Sequence, residues 1–165
     1  MNAEQFIKQI EREQAPLRRF LRTLCRGDAA KADDIAQEAL MKAYLHYEDF
    51  AERSKFATWL YRIAYRAFVD WSASALRKER HRESIDASSA RRIATETAAD
   101  YRPLYDAIEG LSDEERICVI LFYMEDRSVA EIVQITGMPA GTIKSHLSRA
   151  RAHLKKKLET AEEWN

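Results

Sequence analysis

Apolar residues recur along this chain at spacings of three and four, with no convincing period-two alternation, so the pattern predicts helices and no strand. From Asn2 to about Arg26, Phe6, Ile10, Leu17, Leu21 and Leu24 form one stripe. Pro16 is expected to kink or split that helix, because it lacks an amide proton and its ring crowds the carbonyl four residues back. Gly27 and Asp28 close the segment. A second helix, about Ala30 to Tyr47, turns Ile35, Leu40, Ala43 and Tyr44 inward. After a polar loop, Phe50 to Lys55, Ser54 offers a cap to a long third helix reaching about Arg80. That helix carries Phe56, Trp59, Leu60, Ile63, Ala64, Ala67 and Phe68 toward a core.

Between His81 and about Asp100 the apolar content collapses into Ser, Thr, Ala and scattered charge, a composition that cannot bury enough surface to order itself. The periodicity then resumes. Pro103 opens a short helix ending at Gly110, and Ser112 with Glu115 has the spacing of a capping box. The helix it opens carries Ile117, Val119, Ile120, Leu121 and Phe122. Ser128 with Glu131 repeats the box ahead of a helix to Thr136, Gly137 supplies a turn, and Pro139 opens a last helix to about Leu158. The expectation is an all-α chain of two small helical domains, residues 1–80 and 101–165, joined by a flexible linker, 81–100.

Charge changes the picture. The chain has 27 basic and 27 acidic residues, yet the segment 136–158 holds six basic residues and no acid. The preceding segment, 104–135, holds eight acids against Arg116 and Arg127. In the last helix Ile143, Leu147, Ala150, Leu154 and Leu158 make a single apolar stripe. Lys144, Ser145, Ser148, Arg149 and Arg151 must face elsewhere. A helix-turn-helix presses the first half of its second helix into the major groove. Arg149 has the fork that matches two acceptors on guanine, and Lys155 to Lys157 suit sequence-blind attraction to phosphates.

The third helix mixes Trp59, Tyr61, Tyr65, Phe68 and Trp71 with Arg62 and Arg66. Aromatics that stack on bases beside arginines that hold the backbone suit single-stranded nucleic acid. No nucleophile with a base, paired acids, phosphate loop or metal cluster is evident, so no enzyme and no cofactor are expected. His146 and His153 are seven apart, with no carboxylate or thiol between them. Cys25 and Cys118 lack ligand spacing and read as reduced core thiols. No apolar run reaches the ~20 residues of a membrane span, and the N-terminus lacks a signal pattern.

Three segments carry a more specific likeness. They are Asp33-Asp34-Ile35-Ala36-Gln37-Glu38-Ala39-Leu40, Lys55-Phe56-Ala57-Thr58-Trp59-Leu60-Tyr61-Arg62-Ile63-Ala64, and Gly141 through Arg151. In this order and spacing they resemble extracytoplasmic-function sigma factors of bacterial RNA polymerase. The resemblance implies that Asp33, Asp34, Gln37 and Glu38 dock on the clamp helices of the core polymerase. It implies that the loop from Phe50 to Lys55, with Trp59, Arg62 and Arg66, captures the unpaired −10 strand. Lys144, Ser145, His146, Ser148 and Arg149 would read the −35 duplex, His146 standing where a basic residue is common. The implied partners are core RNA polymerase, promoter DNA and an anti-sigma factor, in the cytoplasm and without membrane insertion. Two other functions fit parts of the pattern: a stand-alone helix-turn-helix regulator, and a sigma mimic that sequesters an anti-sigma factor. The aromatic–basic third helix argues against the first, and the retained Lys144 and Arg149 against the second.

Overall fold

The computed structural model describes residues 1–82 and 102–162. These form α1 (Ala3–Leu24), α2 (Ala29–His46), a 3-10 turn (Tyr47–Asp49), α3 (Phe56–Arg82), α4 (Arg102–Glu109), α5 (Asp113–Val119), a π-helical turn (Ile120–Met124), α6 (Val129–Thr136) and α7 (Ala140–Glu162). No strand occurs among the described residues. The proposed linker falls outside them, apart from the end of α3.

Capping chemistry explains the helix starts. Asn2 and Gln5 exchange bonds in a complete capping box, Asp28 accepts from Lys31 N–H at 3.0 Å, and Ser128 and Glu131 form a second complete box. At Ser112 only half the expected box is made. Its hydroxyl accepts from Glu115 N–H, but the Glu115 carboxylate is taken by His153 Nδ1 at 3.0 Å, which ties α5 to α7. Ser54 is not the cap of α3. Its hydroxyl donates to the Lys55 carbonyl instead of accepting from the helix.

Pro16 neither ends nor splits α1, contrary to expectation. The amide it lacks would have bonded the carbonyl of Arg12, an exposed residue, where water can take the bond. α2 packs through Ala32, Ile35, Ala36, Ala39 and Ala43. These small residues let its backbone approach α1 and α3 closely. Tyr44, expected inside, falls off that stripe and is 61% exposed.

One core runs through both groups of helices. Phe20 of α1 packs on Tyr61 of α3 with ring centres 4.8 Å apart, and the core continues into Ile117, Leu121, Ile132 and Ile143. Burying a large aliphatic side chain contributes about 1.5–3 kcal/mol, so this continuity holds α5 and α6 against α1 and α3. Arg116, 1% exposed, sits at the junction. Its Nε donates to the carbonyl of Leu24 at 3.1 Å and its Nη1 to that of Leu111 at 3.1 Å. Leu24 is the last residue of α1, whose final carbonyls have no partner within the helix. A cation at that end also suits the helix dipole.

Candidate nucleic-acid interface

Two basic surfaces stand out. The first is built by the turn ahead of α7. Gly137 adopts φ 77°, a left-handed conformation that favours glycine at a helix end. The carbonyl of Pro139 then accepts from the Ile143 amide at 3.0 Å, closing the first turn of α7. Ile143, Leu147 and Ala150 are buried, and Leu154 and Leu158 half-buried, as their spacing demands. Lys144, Ser145, Ser148 and Arg149 point outward and meet no carboxylate among the described residues. His146 is half-buried. Its Nδ1 accepts from Arg149 Nη2 at 3.2 Å, which steers the guanidinium along the exposed face. Arg151 is diverted to the hydroxyl of Tyr123 at 3.0 Å. His146 and His153 have separate partners, Arg149 and Glu115.

The second surface lies on α3 and the loop before it. Lys55, Trp59, Arg62 and Arg66 recur at intervals of four, three and four, which places them in one row along the helix. Lys55, Arg62 and Arg66 are exposed and Trp59 is half-buried. Phe50 packs edge-on against Phe56 (5.8 Å, 89°) and tilted against Trp59 (5.2 Å). The rings of Phe50 and Phe56 border an open pocket of about 520 Å³ whose other walls include Gln5, Gln9, Glu52 and Lys55. Phe50 is thus half-buried against two other rings and forms one side of the pocket.

Tyr61 belongs elsewhere. The sequence groups it with residues that could stack on bases, but it is fully buried. Its hydroxyl donates to Glu125 at 2.8 Å, and the Arg127 guanidinium lies 5.0 Å from its ring centre. Burial, then the Glu125 carboxylate, pushes its phenol far above the ordinary tyrosine range. The neighbouring Lys55 ammonium is 3.1 Å from the Glu131 carboxylate. The Ser128 amide and Lys55 together hold the Glu131 carboxyl below its usual value, against the opposing effect of burial.

On α2, Asp34, Gln37 and Glu38 are exposed. Asp33 is half-buried and bonds Arg18 at 2.9 Å, and Glu38 pairs with Lys42 at 2.6 Å. The same helix exposes Met41 (66%), Tyr44 (61%) and Leu45 (68%). Periodicity alone could not separate these apolar residues from the core. These exposed apolar side chains lie on the same helix as the exposed Asp34, Gln37 and Glu38. Both cysteines are free and buried. Burial raises each thiol to about 11, which leaves them unreactive. Among the described residues no cluster of metal-binding side chains occurs, and no helix is long and apolar enough to cross a membrane.

Comparison with known proteins adds a common origin. Residues 9–82 match the family model of Sigma-70 region 2, and residues 101–154 that of Sigma-70, region 4. The ECF RNA polymerase sigma factor SigW of Bacillus subtilis is 32% identical over 80% of this chain and 78% of its own length. An RNA polymerase sigma-E factor of Streptomyces avermitilis is 30% identical over 94% of this chain and 86% of its own. Among solved structures, the sigma factor RpoE in complex with the anti-sigma factor NepR from Bartonella quintana superposes with a TM-score of 0.83 at 28% identity. That match covers 95% of this chain and 98% of the other, so it includes both groups of helices. CnrH, in complex with the cytosolic domain of CnrY, shares the fold with a TM-score of 0.70 at 19% identity, over 96% of this chain and 90% of its own.

Proposed function

The chain belongs to the extracytoplasmic-function sigma factors of RNA polymerase, and from that premise we propose how its residues share the work of promoter-directed initiation. Residues 1–80 form the unit that docks on core polymerase and captures the −10 strand, residues 81–100 tether it, and residues 101–165 grip the −35 duplex. Asp33, Asp34, Gln37 and Glu38 present acids and an amide to a basic partner helix. Met41, Tyr44 and Leu45 extend that face with apolar area, the usual source of binding energy at such contacts.

On α3, Lys55, Arg62 and Arg66 hold the phosphates of the melted strand, Trp59 offers a ring edge, and Phe50 walls the pocket for an extruded base. An extruded base needs such a pocket to offset lost pairing and stacking. On α7, Arg149 and Lys144 reach base edges in the major groove, Ser145 and Ser148 add shorter polar contacts, and His146 orients Arg149. The chain needs no cofactor and carries no active site; phosphodiester chemistry is the polymerase's. It works in the cytoplasm, where the polymerase is, and an anti-sigma factor restrains it.

The observation that carries this reading is the basic row on α3 in the same chain as an acid-free recognition helix. A regulator of duplex DNA alone has no use for the row. Transcription from a matched promoter by core polymerase, with and without this protein, tests it. Specific initiation should depend on the protein. Equal transcription in both reactions contradicts the proposal.

A further inference from the structure

The loop assigned above to the extruded base supplies only part of its pocket. Phe50, Glu52, Lys55 and Phe56 line it from the loop and the start of α3, while Gln5 and Gln9 line it from α1. Four residues apart, these two glutamines stand one above the other on a single face of that helix. The aromatic residue between them fixes their place. Phe6, 5% exposed, stacks on Tyr47 with ring centres 5.0 Å apart and meets Phe56 edge-on at 6.0 Å. Tyr47 and Phe56 flank the loop on either side, so one buried ring anchors α1 to both of its ends. The volume, about 520 Å³, falls within the ~300–1,000 Å³ usual for sites that hold small molecules.

A flipped base is read by hydrogen bonds to its Watson–Crick edge and by packing against rings. Phe50 and Phe56 supply the rings, and the polar residues differ in what they have left to give. The Lys55 ammonium is engaged by Glu131 at 3.1 Å and is assigned above to phosphate. Gln5 Oε1 already accepts from the Asn2 amide at 3.1 Å. Gln9 is half-buried, and its carboxamide has no hydrogen-bond partner among the described residues. A carboxamide donates and accepts, whereas a carboxylate only accepts. Gln9 Oε1 and the Glu52 carboxylate thus offer two acceptors to an occupant. The amino group of cytosine or adenine brings two N–H donors, enough for both, and the ring nitrogen beside it can accept from Gln9 Nε2. Guanine likewise presents two neighbouring N–H donors on that edge. Thymine has a single N–H between two carbonyl oxygens, so it leaves an acceptor facing an oxygen with its own partner missing.

We propose that Gln9 is a specificity-determining residue: from α1 it reads the Watson–Crick edge of the extruded −10 base and, with Glu52, selects an amino-bearing base over thymine. The inference rests on the assignment of this pocket to an extruded base. Gln9 stands apart from the basic row of Lys55, Arg62 and Arg66, so two tasks are divided between two helices. The row on α3 holds a strand of any sequence, and Gln9 on α1 decides which base is accepted.

The test uses the full-length chain bound to core polymerase and a panel of single-stranded −10 oligonucleotides, each position carrying each of the four bases in turn. Gln9→Leu removes donor and acceptor together, and leucine is a strong helix former, so α1 is kept. Glu11→Gln, at an exposed position of the same helix outside the pocket, is the control. At one position of the element the wild-type holoenzyme and the control should bind an amino-bearing base about tenfold more tightly than thymine. Gln9→Leu should bring that ratio to within about twofold and leave the other positions unchanged. A wild-type profile in Gln9→Leu, or a wild-type holoenzyme that shows no such position, would overturn the role of Gln9. The Arg62→Ala, Arg66→Ala double variant on the same panel separates this failure from that of the reading beneath it. If it weakens binding of every oligonucleotide while Gln9→Leu changes nothing, strand capture by α3 stands and only the base reader is wrong. If it binds the whole panel as wild type does, the strand lies elsewhere and the assignment of the pocket falls with it.

Discussion

Helices α3 and α7 both expose basic side chains, but in different circumstances. On α7, Lys144, Ser145, Ser148 and Arg149 face solvent and their apolar stripe is fully used by their own helix group. On α3 the leading cation is paired with Glu131, and the buried tyrosine two turns on is bonded to Glu125. Equal charge thus does not mean equal availability. The basic face of α7 lies open, whereas the start of α3 is engaged by acids of the second group of helices.

Substitutions at the junction break this contrast most strongly. Arg116→Ala leaves the Leu24 and Leu111 carbonyls without their partner and empties a buried site. A loss of about 3 kcal/mol in unfolding free energy is expected, read from the urea midpoint. A loss below about 1 kcal/mol would mean that Arg116 does not hold the halves together. Next comes Arg149→Ala, which should weaken −35 duplex binding about tenfold and leave core polymerase binding unchanged. Equal losses in a duplex shift assay and a pull-down would show a folding defect instead of a lost base contact.

Arg62→Ala probes the other helix. About a fivefold loss of strand capture by the holoenzyme is expected, with a salt slope smaller by about 0.7, since one phosphate contact to a single strand is removed. An unchanged slope would take Arg62 off the strand. The smallest effect is acidification. Burial raises the Asp113 carboxyl, but Arg116 and then Arg26 outweigh it and hold the group below its usual value. Glu131 is lowered as well. Groups with depressed values stabilise fully above the ordinary carboxylate range and lose that contribution as pH falls through their lowered values. The folded chain should therefore lose stability at acidic pH, seen as a falling urea midpoint, and Asp113→Asn should flatten that fall.

Much of this was legible in the sequence because it is local. Caps at Ser128 and Gly137, the apolar stripe of α7 and the order of the helices all depend on neighbours within a turn or two. What failed depends on partners far along the chain. Tyr61 reads like its neighbours Trp59 and Tyr65, and only Glu125, 64 residues away, distinguishes it. Arg116 reads as an isolated base among acids, yet it is a buried cap for a helix 92 residues earlier. The π-helical turn, where Glu125 N–H bonds the Ile120 carbonyl five residues back, has no cue of composition, and it precedes the residue that reaches Tyr61. Tyr44 fits an inward stripe by spacing, but the alanines of α2 suffice there and the ring is left outside.

The most direct test of the account is chemical probing of unpaired thymines in the −10 element of a matched promoter, with core polymerase and either the wild-type chain or the Arg62→Ala, Arg66→Ala double variant. Reactivity should appear with wild type, drop severalfold with the variant, and be absent without either chain. Full reactivity with core polymerase alone, or none with the wild-type chain bound to it, would contradict strand capture by α3.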